Sequence, residues 1–133
     1  MQIISVINQK GGVGKTTSAI NLAAGLSQQN KKILVLDLDP QGNATTGLGL
    51  SNMDNSSETI YGVLNGTKEI NDVIKKTQFE NLDIITSNVD LSGLEVETAD
   101  DSNRAFLLKV KLTAYLNNSG GTYDYILIDC PPS

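Results

Sequence analysis

Uninterrupted runs of apolar residues occur at four places along the chain. They predict β-strands at about 2–8, 32–38, 82–86 and 124–129. Runs that do not alternate with polar residues are typical of parallel strands whose two faces are both buried. The pattern therefore favours a mostly parallel sheet that is covered on both sides.

Between these runs, apolar residues recur at the spacing of an amphipathic helix. This spacing predicts a long helix at about 15–29, short helices near 57–64 and 69–76, and a further helix at about 103–117. Residues 40–57 are rich in glycine, asparagine, serine and threonine, and we expect them to form a loop. Helices that alternate with parallel strands indicate an α/β fold, in which helices flank the sheet.

Glycine, lysine and threonine are concentrated directly after the first predicted strand, where the chain reads Lys-Gly-Gly-Val-Gly-Lys-Thr-Thr at 10–17. Glycines let the backbone approach a phosphate closely, and the following helix adds unpaired N–H groups and the positive end of its dipole. In a P-loop at these positions, Lys15 contacts the β- and γ-phosphates, and the Thr16 hydroxyl binds Mg²⁺. A tight turn is the alternative, but a turn does not require Lys-Thr-Thr. The predicted nucleotide-binding residues are Lys10, Gly11, Gly12, Val13, Gly14, Lys15, Thr16 and Thr17.

This loop departs from the strict P-loop pattern at two neighbouring positions. The strict pattern has glycine where this chain has Gln9, and Lys10 is one lysine more than an ordinary P-loop carries. We interpret Lys10 as an indication that the nucleotide site is completed by a second subunit.

Two later apolar runs each end in aspartate and continue into a loop that contains proline. Ligands of open α/β sheets bind at the carboxyl ends of the strands, so these aspartates are expected near the P-loop. Asp129 is predicted to hold Mg²⁺ through water, and Asp39 to orient and deprotonate the attacking water. The alternative is that the aspartates end strands or cap the next helix, and for Asp37 a supporting role and this alternative are equally favoured. The predicted metal-binding residues are Thr16, Asp39 and Asp129.

Three segments together resemble one known family, the ParA/Soj partition ATPases with a deviant Walker A motif. The segments are residues 10–17, the run Asp-Leu-Asp-Pro-Gln-Gly-Asn-Ala-Thr at 37–45, and the run from Tyr123 to Ser133. The resemblance implies a P-loop NTPase-like fold whose fourth strand lies between the first and the second. It implies ATP and Mg²⁺ as cofactors and Lys10, Lys15 and Asp39 as catalytic residues, with Lys10 reaching the ATP of a partner subunit.

The same resemblance implies a function. A family member is expected to hydrolyse ATP slowly, to form a homodimer on ATP, and to bind DNA nonspecifically. A ParB-like centromere-binding partner is expected to stimulate it, and the cycle is expected to drive chromosome or plasmid partitioning in the cytoplasm, on the nucleoid. Two alternatives stay open: a membrane- or protein-positioning ATPase of the MinD type, although no membrane contact is expected, and a regulatory module that binds nucleotide without hydrolysis.

Length and composition narrow these possibilities. The 133 residues fit one domain, and the chain has no histidine that could act as a base or ligand. One cysteine, Cys130, excludes an internal disulfide and a cysteine-held iron–sulfur cluster. The net charge is −5 without a basic stripe, so we expect the DNA-binding surface elsewhere. The family is expected to be twice as long, and we interpret residues 1–133 as the N-terminal portion of one ParA-type domain whose C-terminal half is absent. A natural half-length protein is the alternative.

Overall fold

The computed structural model describes residues 2–7, 13–38, 43–50, 58–87, 108, 110–115, 117 and 123–130, with the backbone alone for 2–7, 13–19, 43 and 130. In chain order the elements are β1 (Gln2–Ile7), α1 (Val13–Gln28), β2 (Ile33–Asp37), α2 (Asn43–Gly47), α3 (Ile60–Leu64), α4 (Ile70–Val73), β3 (Ile74–Lys76), β4 (Leu82–Ile85) and β5 (Tyr125–Cys130). Residues 108, 110–115 and 117 are helical, within the helix predicted at 103–117.

The five strands form one sheet in the order β1-β5-β2-β4-β3. β5 pairs in parallel with both β1 and β2, and β2 pairs in parallel with β4. The last predicted strand therefore lies between the first and the second, as the resemblance implied. The predicted α/β fold with a mostly parallel sheet is confirmed.

Every residue of β2 is buried. Since successive side chains of a strand point to opposite faces, both faces of this central strand are covered. On one face, Leu34, Leu36 and Ile126 pack with residues of α3 and α4 and with the helical residues at 108, 112 and 115. On the other face, Ile33, Val35 and neighbouring apolar side chains pack with residues of α1 and α2. Continuous apolar strands thus produce a sheet with helices on both sides.

Two predictions of local structure were wrong. The segment 40–57 was predicted to be a loop, but it contains the helix α2. Contacts with Asp37 and with Ile20 of α1 stabilise this helix. The predicted helix at 69–76 ends at Val73, and Ile74–Lys76 forms β3, which runs antiparallel to β4. The apolar residues at 70, 73 and 74 have helical spacing, but residues 74–76 pair with the edge of β4 and therefore form a strand.

The boundaries of α1 bear on the site. The helix was predicted from residue 15, but it begins at Val13, so its first turn contains Gly14, Lys15 and Thr16. It ends before Asn30, which has a φ of 65°. The N–H groups of Asn30 and Lys31 donate to carbonyls of the last turn, which is the left-handed ending common in helices. Within the described residues, no helix has the length and hydropathy that crossing a bilayer requires.

Candidate nucleotide-binding site

The predicted P-loop connects the first strand to the first helix. β1 ends at Ile7 and α1 begins at Val13, so the carboxyl end of β1 leads to the N-terminus of α1. The first N–H groups of a helix have no intrahelical acceptor, and the helix dipole is positive there. The backbone therefore places Lys15 and Thr16 in a helical turn that suits a phosphate. Lys10, Gly11 and Gly12 lie outside the described residues.

Asp129 lies one strand away from this loop. Its register partner on β1 is Val6, next to the last residue of that strand. The Asp129 side chain is buried, and its carbonyl accepts a hydrogen bond from the N–H of Leu38 at 2.9 Å. The prediction that this aspartate ends a strand at the P-loop edge of the sheet is confirmed, while its role as a metal ligand stays a prediction.

Asp37 is the register partner of Asp129 on the other side, on β2. Its side chain is completely buried, and its Oδ2 accepts two hydrogen bonds from Thr45. The Thr45 N–H donates at 2.9 Å and the Thr45 hydroxyl donates at 2.7 Å. Since Thr45 is the third residue of α2, Asp37 satisfies a free N–H group in the first turn of this helix. Of the two interpretations of Asp37, capping of the next helix is the one that the structure shows.

Thr45 also contacts the strand on the far side of β2. Its Oγ1 accepts a hydrogen bond of 3.1 Å from the N–H of Ser87, two residues after the end of β4. Asp37, Thr45 and Ser87 are all completely buried. A buried polar group without partners is unfavourable, so these hydrogen bonds hold the ends of β2 and β4 and the start of α2 together.

The sequence prediction missed Thr45 and Ser87 as members of this group. Thr45 closes the segment 37–45 that carries the resemblance, but no spacing rule pairs it with an aspartate eight residues earlier. Ser87 contributes its backbone N–H, which every residue except proline possesses. Asp39 lies outside the described residues.

Helix α2 also packs tightly on α1. A Cβ at Gly47 would collide with Cδ1 of Ile20, so the absence of a side chain at this position allows the two helices to approach. The C-terminus of α2 is closed by the N–H groups of Gly49 and Leu50, which donate to the carbonyls of Thr46 and Thr45. This arrangement is a Schellman motif, and Gly49 supplies its left-handed residue with a φ of 84°.

Of the three predicted metal-binding residues, Asp129 is the one whose side chain the structure describes, and Asp37 is its register partner on β2. Parallel register partners lie about 4.8 Å apart and point to the same face, so the Asp37 and Asp129 carboxylates are close neighbours. Carboxylate oxygens are ligands that Mg²⁺ prefers, and the binding of a metal at Asp129 stays a prediction. No group of three or more acidic, histidine or cysteine side chains forms a metal site within the described part of the chain. The side chain of Thr16 and the whole of Asp39 lie outside the part of the chain that the structure describes.

Comparison with known proteins identifies the family. The sequence profile of the AAA domain family matches residues 1–133. The chromosome-partitioning ATPase Soj of Treponema pallidum is 50% identical over 127 residues, which cover 96% of this chain and 47% of that protein. The chain belongs to the ParA/Soj family. It spans about half the length of the curated relatives that it matches.

Solved structures of two proteins share the fold of this ParA/Soj family member. The cobyrinic acid a,c-diamide synthase of Mycobacterium smegmatis, crystallised with an ATP analogue and magnesium, superposes with a TM-score of 0.85 at 36% identity, covering 100% of this chain and 52% of the other. A plasmid partition protein of Borrelia burgdorferi superposes with a TM-score of 0.79 at 35% identity, covering 99% and 57%. The predicted P-loop NTPase-like fold is confirmed.

Proposed function

We propose that this ParA/Soj family member is an ATP-binding and ATP-hydrolysing switch that dimerises on ATP and drives chromosome or plasmid partitioning. The observation that carries the proposal is the position of the α1 N-terminus, with Gly14, Lys15 and Thr16 in its first turn, beside the strand that ends in buried Asp129. A helix N-terminus with a lysine and a neighbouring carboxylate combines a phosphate site with a metal site.

The comparisons support the two parts of the proposal differently. The Soj protein of Treponema pallidum and the plasmid partition protein of Borrelia burgdorferi both carry partition in their names. The synthase of Mycobacterium smegmatis has a different named activity but was crystallised with an ATP analogue and magnesium. The fold therefore supports the ATP site, and the sequence relatives support the role in partitioning.

Each predicted residue has a defined part in the proposed reaction. Lys15 and the first N–H groups of α1 bind the phosphates, and Lys10 of the partner subunit adds a second positive charge as the dimer closes. Asp39 orients the attacking water and accepts its proton.

The donor set fits ATP and Mg²⁺. Thr16, Asp39 and Asp129 are hard oxygen donors of the kind that Mg²⁺ prefers, and Asp129 is buried at this edge of the sheet. When bound, Mg²⁺ offsets the negative charge on the phosphates.

Partner binding belongs to the whole protein in this proposal, because the chain spans about half the length of its relatives. We assign nonspecific DNA binding to the ATP-bound dimer and stimulation of hydrolysis to a ParB-like centromere-binding protein. The cycle then operates on the nucleoid in the cytoplasm. A slow intrinsic rate suits a switch whose ATP-bound state has to persist until the partner arrives.

Phosphate release by the intact protein tests the proposed function. We expect slow release from ATP that requires Mg²⁺, stops with EDTA, and accelerates when DNA and the ParB-like partner are both present. Lys15→Ala is expected to abolish release. Lys31→Ala is the matched control. This exposed lysine precedes β2 and therefore lies at the amino ends of the parallel strands, whereas the P-loop follows the carboxyl end of β1. ATP binding without any release under all of these conditions would support the regulatory module instead.

A further inference from the structure

Asp37 and Thr45 close a loop in the chain at the edge of the sheet where ATP is proposed to bind. The two residues are eight positions apart, and two hydrogen bonds join them through one carboxylate oxygen. Both ends of the segment 38–44 are therefore held at fixed places, one on β2 and one in the first turn of α2. This segment contains Asp39, the residue to which we assign the attacking water.

The hydrogen bonds at Thr45 have a defined direction. A threonine hydroxyl has one hydrogen, and here it is donated to the carboxylate of Asp37. The same oxygen then accepts from the N–H of Ser87, so the side chain of Thr45 is held between the ends of β2 and β4. All three residues are fully buried, so the loss of these hydrogen bonds is not compensated by water.

The same helix is in contact with the proposed phosphate site. Gly47 of α2 packs against Ile20 of α1, and α1 begins with the P-loop residues. The short helix α2 is thus held by β2 and β4 at its N-terminus and by α1 at its C-terminus. The two residues that flank the segment 38–44 are thus connected to the rest of the fold, and the side chain of Thr45 joins the ends of β2 and β4.

We propose that Asp37 and Thr45 are positioning residues for ATP hydrolysis, which hold the two ends of the segment that carries Asp39. The inference rests on the proposed function, because it needs Asp39 to act on the attacking water. Neither residue has to contact ATP. Loss of the hydroxyl of Thr45 is expected to affect the chemical step, whereas the affinity for nucleotide depends on Lys15 and the α1 N-terminus.

The test compares Thr45→Val with Thr45→Ser in the intact protein. Valine has the shape of threonine without the hydroxyl, whereas serine retains the hydroxyl. We expect Thr45→Val to lower kcat about 10- to 100-fold, the size of effect that misplacing a catalytic group produces. Its Kd for a fluorescent ATP analogue is expected to stay at the wild-type value, and Thr45→Ser is expected to restore kcat.

Ser27→Ala is the matched control for loss of a buried hydroxyl. The Ser27 hydroxyl donates to the carbonyl of Ala24 at 2.8 Å, near the other end of α1, and the side chain is buried. This variant is expected to change thermal stability without changing kcat. A purely structural role of Thr45 would instead lower the active fraction and the melting temperature, and leave kcat per nucleotide-binding site unchanged.

The outcomes separate this inference from the proposed function. If the wild-type protein hydrolyses ATP and Thr45→Val has the same kcat as the wild type, the inference is overturned and the ATPase proposal stays intact. Absence of Mg²⁺-dependent release from the wild type would overturn both. Should Thr45→Val not fold, Asp37→Asn provides a second comparison, and a reduced kcat with the wild-type dependence on Mg²⁺ and the wild-type Kd for nucleotide supports the inference. Failure of both variants to fold would show that the hydrogen bonds serve folding alone.

Discussion

Asp37 and Asp129 face each other across adjacent parallel strands, and their side chains are 0% and 1% exposed. The two aspartates lie side by side near the carboxyl ends of β2 and β5, because the apolar runs of these strands end at the same level in the sheet. One oxygen of Asp37 accepts two hydrogen bonds from Thr45, so this carboxylate holds the first turn of α2 to the end of β2. A pair of buried carboxylates next to a helix N-terminus is a setting in which a phosphate and a divalent cation stabilise each other.

Lys10→Ala tests whether the nucleotide site is shared between subunits. We expect the variant to lose ATP-dependent dimers and to retain nucleotide binding by the monomer, because Lys15 and the α1 N-terminus remain in place. Light scattering with and without ATP measures the dimer, and a fluorescent nucleotide measures binding. Lys31→Ala is expected to dimerise like the wild type. Unchanged dimers in Lys10→Ala would refute the action of this lysine across the interface.

Asp39→Ala tests the assignment of the attacking water. Loss of a group that acts in the transition state costs about 2.7–4 kcal/mol, which corresponds to a rate reduced 10²- to 10³-fold. We therefore expect a variant that binds ATP, dimerises and stays in the ATP-bound state. Single-turnover phosphate release and light scattering after addition of ATP follow the two events. A normal turnover rate would remove Asp39 from the mechanism.

Gly49 is predicted to be required for its backbone conformation rather than for space. Its φ is 84°, and an added Cβ would meet only the Gln78 side chain oxygen, at 3.5 Å. A residue with a side chain is disfavoured in this conformation by about 1–2 kcal/mol, so Gly49→Ala is expected to lower the free energy of unfolding by this amount.

Gly25→Ala is the matched control for Gly49→Ala. Gly25 lies inside α1 with open space around the added Cβ, so alanine is expected to raise the free energy of unfolding by about 0.5–1 kcal/mol. Urea denaturation of both variants measures the difference. Equal effects of the two substitutions would contradict the assignment of strain to Gly49.

Tyr123 is predicted to make stability depend on alkaline pH. Burial raises the pKa of its hydroxyl well above the ordinary value of 10.0, and the hydrogen bond of 2.7 Å to Asp83 raises this pKa further. Above pH 10 the unfolded chain loses this proton while the folded chain retains it. The stabilising contribution is therefore complete below pH 10 and decreases as the pH rises further.

Tyr123→Phe provides the comparison for this pH dependence. The variant is expected to be less stable at neutral pH by about 1 kcal/mol, because the hydrogen bond from the Tyr123 hydroxyl to Asp83 is lost. It is also expected to lose less stability than the wild type between neutral pH and alkaline pH. Thermal unfolding at a series of pH values measures both quantities, and parallel curves for the two proteins would exclude the contribution of Tyr123.

Local sequence was sufficient for the main elements and for the family. Apolar runs identified β1, β2, β4 and β5, because the strands of parallel sheets are rich in consecutive apolar residues. The P-loop segment at 10–17 was recognisable because glycines, lysine and threonine are needed together next to a phosphate. The assignments of its individual side chains, and of Asp39, stay predictions.

Contacts between distant residues decided the rest. The polar segment that forms α2 has no apolar periodicity, and it is helical where Asp37 and a Schellman motif satisfy its ends and Gly47 fits against Ile20. The strand β3 exists because β4 offers an unpaired edge to Ile74–Lys76. Spacing along a chain reports which face a residue occupies, whereas a hydrogen bond between Asp37, Thr45 and Ser87 depends on three segments that only folding brings together.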